Sequence, residues 1–251
     1  MEQGLRVCDA NLEEATGTVP AAGAAKRVSG TTQLRPYPRV VGPAGASRVS
    51  WASSDVSAAC SSKVVELLIR LFDIVGSLAI VVATFPLMVV SALLVKLTSA
   101  GPVLYRQERV GKNGKLFVLY KFRTMIDGAE KDVGPVWAAK DDKRITPLGR
   151  ILRRTRLDEL PQLYNILRGD MSLVGPRPER PYFVRRHKAL QGARLAVKPG
   201  MTGLAQVRSF YDLKPAHKVK YDYLYIQKRS LLLNVYILLR TIPVLFTKKG
   251  W

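Results

Sequence analysis

The residues best equipped for chemistry stand in one stretch, Arg153 to Pro181, reading RRTRLDELPQLYNILRGDMSLVGPRPERP. Asp158 and Glu159 are adjacent carboxylates. An ionised carboxylate is a competent nucleophile toward phosphorus. A second one beside it suits Mg²⁺, which takes one or two protein carboxylates together with substrate phosphate oxygens. Arg150, Arg153, Arg154 and Arg156 crowd the approach, and a guanidinium fork suits phosphate. Pro176 and Pro178 fix the backbone around Arg177, which lets that arginine aim at a phosphate. Plainer readings exist for the same residues. An Asp-Glu pair at a helix start is ordinary capping, and Pro-Arg-Pro is a rigid surface turn.

Helices must position these groups. Thr146-Pro147 places a capping threonine before a proline at the first helical position, and the run LGRILRRTR follows. Asp158 reads as the cap of the next helix, with Pro161 in its first turn and Leu160, Leu163, Ile166 and Leu167 at helical spacing. A helix start and nearby arginines both favour the ionised form of Asp158. Arg168-Gly169 ends that helix. Upstream, VLYRQERV and KLFVLYKFRTM flank Gly111-Lys112-Asn113-Gly114, which predicts a β-hairpin. Strand alternation puts Lys121 and Arg123 on one face, either as solvated cations or as a pair of phosphate contacts. Residues 127–146 read as a polar connection.

One segment speaks for a membrane. Ile74 to Val95 contains no charged residue, about 22 residues, enough to cross a bilayer core. Pro86 lies near its middle and removes a backbone donor, so the helix either kinks while spanning or turns back as a re-entrant hairpin. Lys63 and Arg70 precede the segment; Lys96, Arg106, Arg109, Lys112, Lys115 and Lys121 follow it. The richer C-terminal flank is expected on the cytoplasmic side in either case. The last apolar run, SLLLNVYILLRTIPVLFTKKGW, is short and interrupted by Arg240 and Pro243, so it reads as an interfacial or core helix.

Composition limits the function classes. The chain of 251 residues carries 40 Lys+Arg against 19 Asp+Glu, a formal net charge of +21. Such a surface attracts polyanions: nucleic acid, anionic lipid or a phosphorylated substrate. Cys8 and Cys60 fit neither a disulfide framework nor a zinc pattern. His187 and His217 give little support to a histidine-activated nucleophile. Residues 1–60 are rich in small residues without periodicity and are expected to form a disordered or loosely ordered tail. The sequence thus divides into that tail, a membrane segment at 61–99 and a cytosol-facing domain at 100–251. A membrane-anchored nucleic-acid-binding protein or a scaffold without catalysis is the rival class, but no nucleic-acid-binding signature accompanies the charge.

Three motifs carry a resemblance: YKFRTM at Tyr120–Met125, the run from Leu152 through DELPQLYNILRGDMSLVGPRPERP, and VKPGMTGLAQV at Val197–Val207. Together, in this order, they resemble the bacterial sugar transferases that are monotopic phosphoglycosyl transferases, over residues 63 to 251. The likeness is to the small catalytic-core form. It implies a mainly helical α+β domain, membrane-associated and monotopic. Its parts would be a re-entrant membrane helix broken at Pro86, a small hairpin and an interfacial C-terminal helix. It implies transfer of a sugar-1-phosphate from a UDP-sugar to undecaprenyl phosphate with release of UMP, the first membrane step of exopolysaccharide, O-antigen or glycan assembly. Asp158 then falls on the nucleophile and Glu159 on the Mg²⁺-associated carboxylate. Arg153, Lys121 and Pro176-Arg177-Pro178 fall on the family's other motif positions. A covalent aspartyl-phosphosugar intermediate, a bacterial inner-membrane location with a cytoplasmic active site, lipid contacts and no nucleic-acid partner are further expectations. Whether the chain acts alone or as a homodimer is left open. The family's Ser-Pro pair at the membrane break is Phe85-Pro86 here, so a serine hydroxyl is missing from the bend.

Overall fold

The computed structural model describes residues 62–130, 142–208 and 215–246; the expected tail at 1–60 lies outside them. Element order is α1 (Lys63–Thr98), β1 (Leu104–Val110), β2 (Leu116–Phe122), α2 (Pro147–Arg154), α3 (Gln162–Arg168), β3 (Ser172–Val174), α4 (Pro181–Arg186), β4 (Gly200–Thr202), α5 (Leu204–Arg208), α6 (Pro215–Gln227) and α7 (Leu231–Phe246). The fold is α+β and mainly helical.

The two strands flanking Asn113-Gly114 pair antiparallel, from Leu104 opposite Phe122 to Val110 opposite Leu116. Asn113 and Gly114 supply the positive φ values, 56° and 74°, that reverse the chain. A second ladder was not expected: β3 and β4 pair in parallel, Ser172 with Gly200 and Val174 with Thr202. At three residues each they are too short to show a period in the sequence. This ladder brings the GPRP and KPGMTG motifs together. Gly175 N–H donates to Thr202 O, and Gly200 N–H donates to Pro176 O, each at 2.9 Å. A Cβ on Gly200 would stand 2.0 Å from the Gly175 nitrogen, so only glycine permits this crossing.

α1 is one helix, with Pro86 inside it rather than between two helices. Its face bearing Ile69, Asp73 and Ser77 is buried, as are Ser91 and Val95 nearer the end. The charges before the apolar stretch are struts. Arg70 donates from Nη1 and Nη2 to the carbonyls of Ile166 and Leu167 at the end of α3, both at 2.6 Å. Asp73 Oδ1 accepts from Ser172 Oγ and Leu173 N–H, both at 2.9 Å. At the other end, Val95 packs with Phe122 and Leu152. Between these anchors Val82, Ala83, Phe85, Pro86 and Leu87 are exposed. The opposite face is bare and apolar along the whole helix, with Val82 75% and Leu97 80% exposed. Unpartnered apolar surface on this scale marks a lipid or partner contact. By length and composition α1 is the one helix among the described residues that suffices to cross a membrane.

The main core joins Leu160, Leu163 and Ile166 to Met171, Leu173 and Val174, and to Tyr225, Ile226 and Ile237 of the C-terminal helices. α7 buries Asn234 and Ile237 and leaves Leu232, Leu239 and Ile242 exposed.

Candidate active site

α2 begins as its sequence dictates. Thr146 Oγ1 accepts from Gly149 N–H at 2.9 Å, with Pro147 in the first turn. It ends at Arg154, and Arg156 then takes the left-handed conformation at φ 59°. A non-glycine residue there costs on the order of 1 kcal/mol or more, and such strain gathers at functional sites. The reversal starts a single 3₁₀ turn, Leu157–Glu159, that carries both carboxylates. Asp158 therefore precedes α3 by a full turn instead of capping it; Pro161 occupies the cap position.

Glu159 and Asp158 are both buried. Lys121 Nζ of β2 donates to Glu159 Oε1 at 2.9 Å, and Arg177 Nη2 of the Pro-Arg-Pro elbow donates to the same oxygen at 2.7 Å. Burial alone would raise the Glu159 pKa; Arg177 and Lys121 outweigh it and hold the carboxyl well below its ordinary range. Burial likewise pushes the Lys121 ammonium down, against the pull of Glu159.

Asp158 behaves differently: the arginines favour its ionised form as expected, but burial, which the sequence did not show, opposes them. Burial pushes its pKa up to about 6, with the Glu159 charge adding to the rise. Lys121, Arg153 and Arg156 offset only part of it. The helix dipole that was to favour the charge belongs to α3, one turn away.

The sequence candidates separate in space. Lys121, Glu159 and Arg177 are joined directly. Arg153 acts on Asp158 through its charge, while its Nε donates to Thr124 Oγ1 at 2.7 Å. Arg123, expected beside Lys121 as a phosphate contact, lies beyond the end of β2. Its Nη2 donates to Ser99 O and Ser99 Oγ, at 2.8 and 2.7 Å. It ties the sheet to the end of α1. Pro176 and Pro178 each use the carbonyl as an acceptor, from Gly200 N–H and from Arg109 Nη1.

Sequence reasoning missed several positioning groups. Asn165, fully buried on α3, accepts from Tyr120 N–H at 3.2 Å and donates to Val118 O at 2.7 Å, so it seats β2 against the carboxylate turn. Its polar side chain among α3's apolar positions was the available signal. Thr124, which holds Arg153, lay inside the YKFRTM motif. Arg109 lies on the same face of β1 as Tyr105, whose partner on β2 is Lys121.

The donor set bears on a metal. Among the described residues no three His, Cys, Asp or Glu side chains gather. Two hard carboxylates, one already neutralised by two cations, fit Mg²⁺ that arrives with a diphosphate rather than a metal held in a protein cage.

Two buried carboxylates with Lys121, Arg153 and Arg177 acting on them thus form the candidate site. The chain belongs to the bacterial sugar transferase family, whose model matches residues 64–248. It is 41% identical over 187 residues to the UDP-N-acetylgalactosamine-undecaprenyl-phosphate N-acetylgalactosaminephosphotransferase of Aeromonas hydrophila, covering 72% of this chain and 44% of that protein. It is 52% identical over 117 residues to a putative undecaprenyl-phosphate N-acetylgalactosaminyl 1-phosphate transferase of Bacillus subtilis, covering 47% and 65%. With the UDP-glucose:undecaprenyl-phosphate glucose-1-phosphate transferase of Caulobacter vibrioides it shares 42% over 194 residues, covering 73% and 71%. The chain thus spans less than half the length of the Aeromonas relative. The relatives differ in the sugar they are named for.

Proposed function

We propose that this protein is a polyprenyl-phosphate sugar-1-phosphate transferase that uses a UDP-sugar donor and undecaprenyl phosphate as acceptor. The observation that carries the reading is the inequality of two adjacent buried carboxylates. Glu159 is clamped by Lys121 and Arg177 and held well below its ordinary range, while burial raises the pKa of Asp158 to about 6. A carboxylate that is ionised at neutral pH yet poorly stabilised is a strong nucleophile for its class.

The reaction runs in two displacements. An Asp158 carboxylate oxygen attacks the phosphorus that bears the sugar. The bond from that phosphorus to the bridging oxygen breaks, and UMP leaves. The lipid phosphate oxygen then attacks the same phosphorus and expels the Asp158 carboxylate, giving the polyprenyl diphosphate-linked sugar. Arg153, Arg177 and Lys121 offset charge on the transferring group. Glu159, with Asp158 beside it, would hold Mg²⁺, which would supply further charge neutralisation for the phosphates.

The membrane arrangement is read as monotopic. Both ends of α1 pack on the same domain: Arg70 and Asp73 on α3 and β3, Val95 on β2 and α2. A helix crossing the bilayer separates its ends by about 30 Å of hydrocarbon and cannot keep both on one cytoplasmic domain. The outward face around Pro86, with Val82, Phe85 and Leu87 exposed, is the part that enters lipid in this re-entrant reading. The site then faces the cytoplasm at the inner membrane, where the phosphate of a polyprenyl lipid lies. This places the enzyme at the first membrane step of a surface glycan.

The test is UMP release from a panel of UDP-sugars with Mg²⁺ and undecaprenyl phosphate. The expected result is release that needs the lipid for turnover, a phosphosugar adduct on the intact protein, and loss of both in Asp158→Asn. Full turnover by Asp158→Asn would overturn the reading.

A further inference from the structure

Two arginines outside the carboxylate turn grip consecutive carbonyls of the Pro-Arg-Pro elbow. Arg109 of β1 donates from Nη1 to Pro178 O at 2.9 Å. Arg194, in the 3₁₀ segment Gly192–Ala196, donates from Nη2 to Arg177 O at 2.7 Å. The Nε of Arg194 donates to Asp222 Oδ2 of α6, also at 2.7 Å. Both side chains of that pair are 4% exposed. Glu179 lies 4.0 Å from each arginine. Two cations and two anions thus balance, so the group has no excess charge with which to bind a phosphate of its own. Its contact with the chemistry runs through one residue: the backbone of Arg177 is held by Arg194, and the side chain of Arg177 reaches Glu159.

The elbow needs outside support. Pro176 and Pro178 have no N–H, so the peptides entering these two prolines, the second of them formed by the Arg177 carbonyl, cannot donate to a ladder. The carbonyl of Arg177 is then fixed by whatever donates to it. A guanidinium suits the task because its planar fork serves two acceptors in fixed directions.

We propose that Arg194, oriented by Asp222, is a positioning residue for Arg177 and thereby for the Glu159 end of the active site. This rests on the reading of Arg177 as part of the transferase site. A purely structural role would tie α6 to the core with no path through Arg177.

UMP release separates the two, with kcat and KM measured for Arg177→Met, Arg194→Met and the double variant, each corrected for the folded fraction. Arg177→Met is expected to lower kcat about 10²-fold, as loss of one charge-stabilising donor does. Arg194→Met should lower kcat roughly tenfold or more by misplacing that donor, with KM changed less. The double variant should be no slower than Arg177→Met alone, because the second change acts only through the first. Asp222→Asn and Arg194→Lys, milder changes that keep the site filled, should show smaller losses that also vanish in the Arg177→Met background. Losses that multiply, or wild-type turnover in Arg194→Met and Asp222→Asn, would overturn the proposal while leaving the site reading intact. Wild-type turnover in Arg177→Met would instead remove Arg177 from the site and take the proposal down with it.

Discussion

At the scale of single residues, two neighbouring carboxylates are predicted to respond oppositely to loss of charge. The Asp158 pKa is raised to about 6 from an ordinary 3.8, so the folded state holds its proton more tightly than the unfolded chain does. Its ionised form therefore costs stability above pH 6, and that cost shrinks as pH falls toward 4. Asp158→Asn should abolish turnover yet raise stability by ~1–3 kcal/mol at pH 7.5. The gain should be smaller at pH 5. Glu159 is the reverse case, its stabilising charge lost only as pH falls through a depressed pKa. Glu159→Gln removes the carboxylate oxygen that Lys121 and Arg177 share and should cost about 3–5 kcal/mol. Thermal melting in detergent at two pH values reads both. The pH profile follows from the same residue. Attack requires ionised Asp158, so kcat/KM should fall tenfold per unit below about pH 6. Arg153 lowers the Asp158 pKa, so Arg153→Met should move that limb to higher pH. A profile flat down to pH 5 would refute this assignment of the nucleophile.

At the scale of elements, the carboxylate turn depends on a helix reaching across to a strand. Asn165 satisfies the N–H of Tyr120 and the carbonyl of Val118, the two residues that lead into Lys121. Asn165→Leu should leave both part-buried groups without this partner and cost about 1–3 kcal/mol, read as a lower melting temperature. Residual turnover per folded molecule should also fall, because Lys121 rides on β2. Unchanged stability would show that β2 is held by the hairpin alone. The elements themselves were largely legible. Thr146-Pro147 announced α2, Asn113-Gly114 the reversal between β1 and β2, and the spacing of Leu160, Leu163 and Ile166 the face that α3 buries. What stayed hidden depends on tertiary contact. Arg123 looked like a partner of Lys121 by alternation, but β2 stops at Phe122 and the guanidinium turns to Ser99. The parallel ladder of β3 and β4 joins segments 28 residues apart through three-residue strands, which leave no periodic trace. Local sequence suggested a dipole-favoured Asp158; burial, which only the assembled core creates, reversed the direction.

At the scale of the molecule, two features must agree: a formal charge of +21 and an apolar helix face left exposed among the described residues. On the monotopic reading proposed above, anionic headgroups on the cytoplasmic leaflet would attract the first and the hydrocarbon beneath them would take up the second. The decisive geometric fact is that α1 is fastened at both ends. Its first turns carry Glu66, Arg70 and Asp73 on one stripe, each bonded to the domain, with Glu66 paired to Arg229. Its last turn is held by Arg123 at Ser99. Thirty-six residues of straight helix measure about 54 Å, ample to cross a bilayer. Crossing would strand one set of these bonds on the far side and leave buried charges unpaired, at several kcal/mol for each. Both ends are therefore expected on the cytoplasmic side. Single cysteines at Lys63→Cys and Thr98→Cys, in a chain with Cys8 and Cys60 replaced, provide the check. A membrane-impermeant maleimide should spare both in intact cells and label both after lysis. Labelling of either one in intact cells would mean that α1 spans the membrane and that one of its two anchors gives way there.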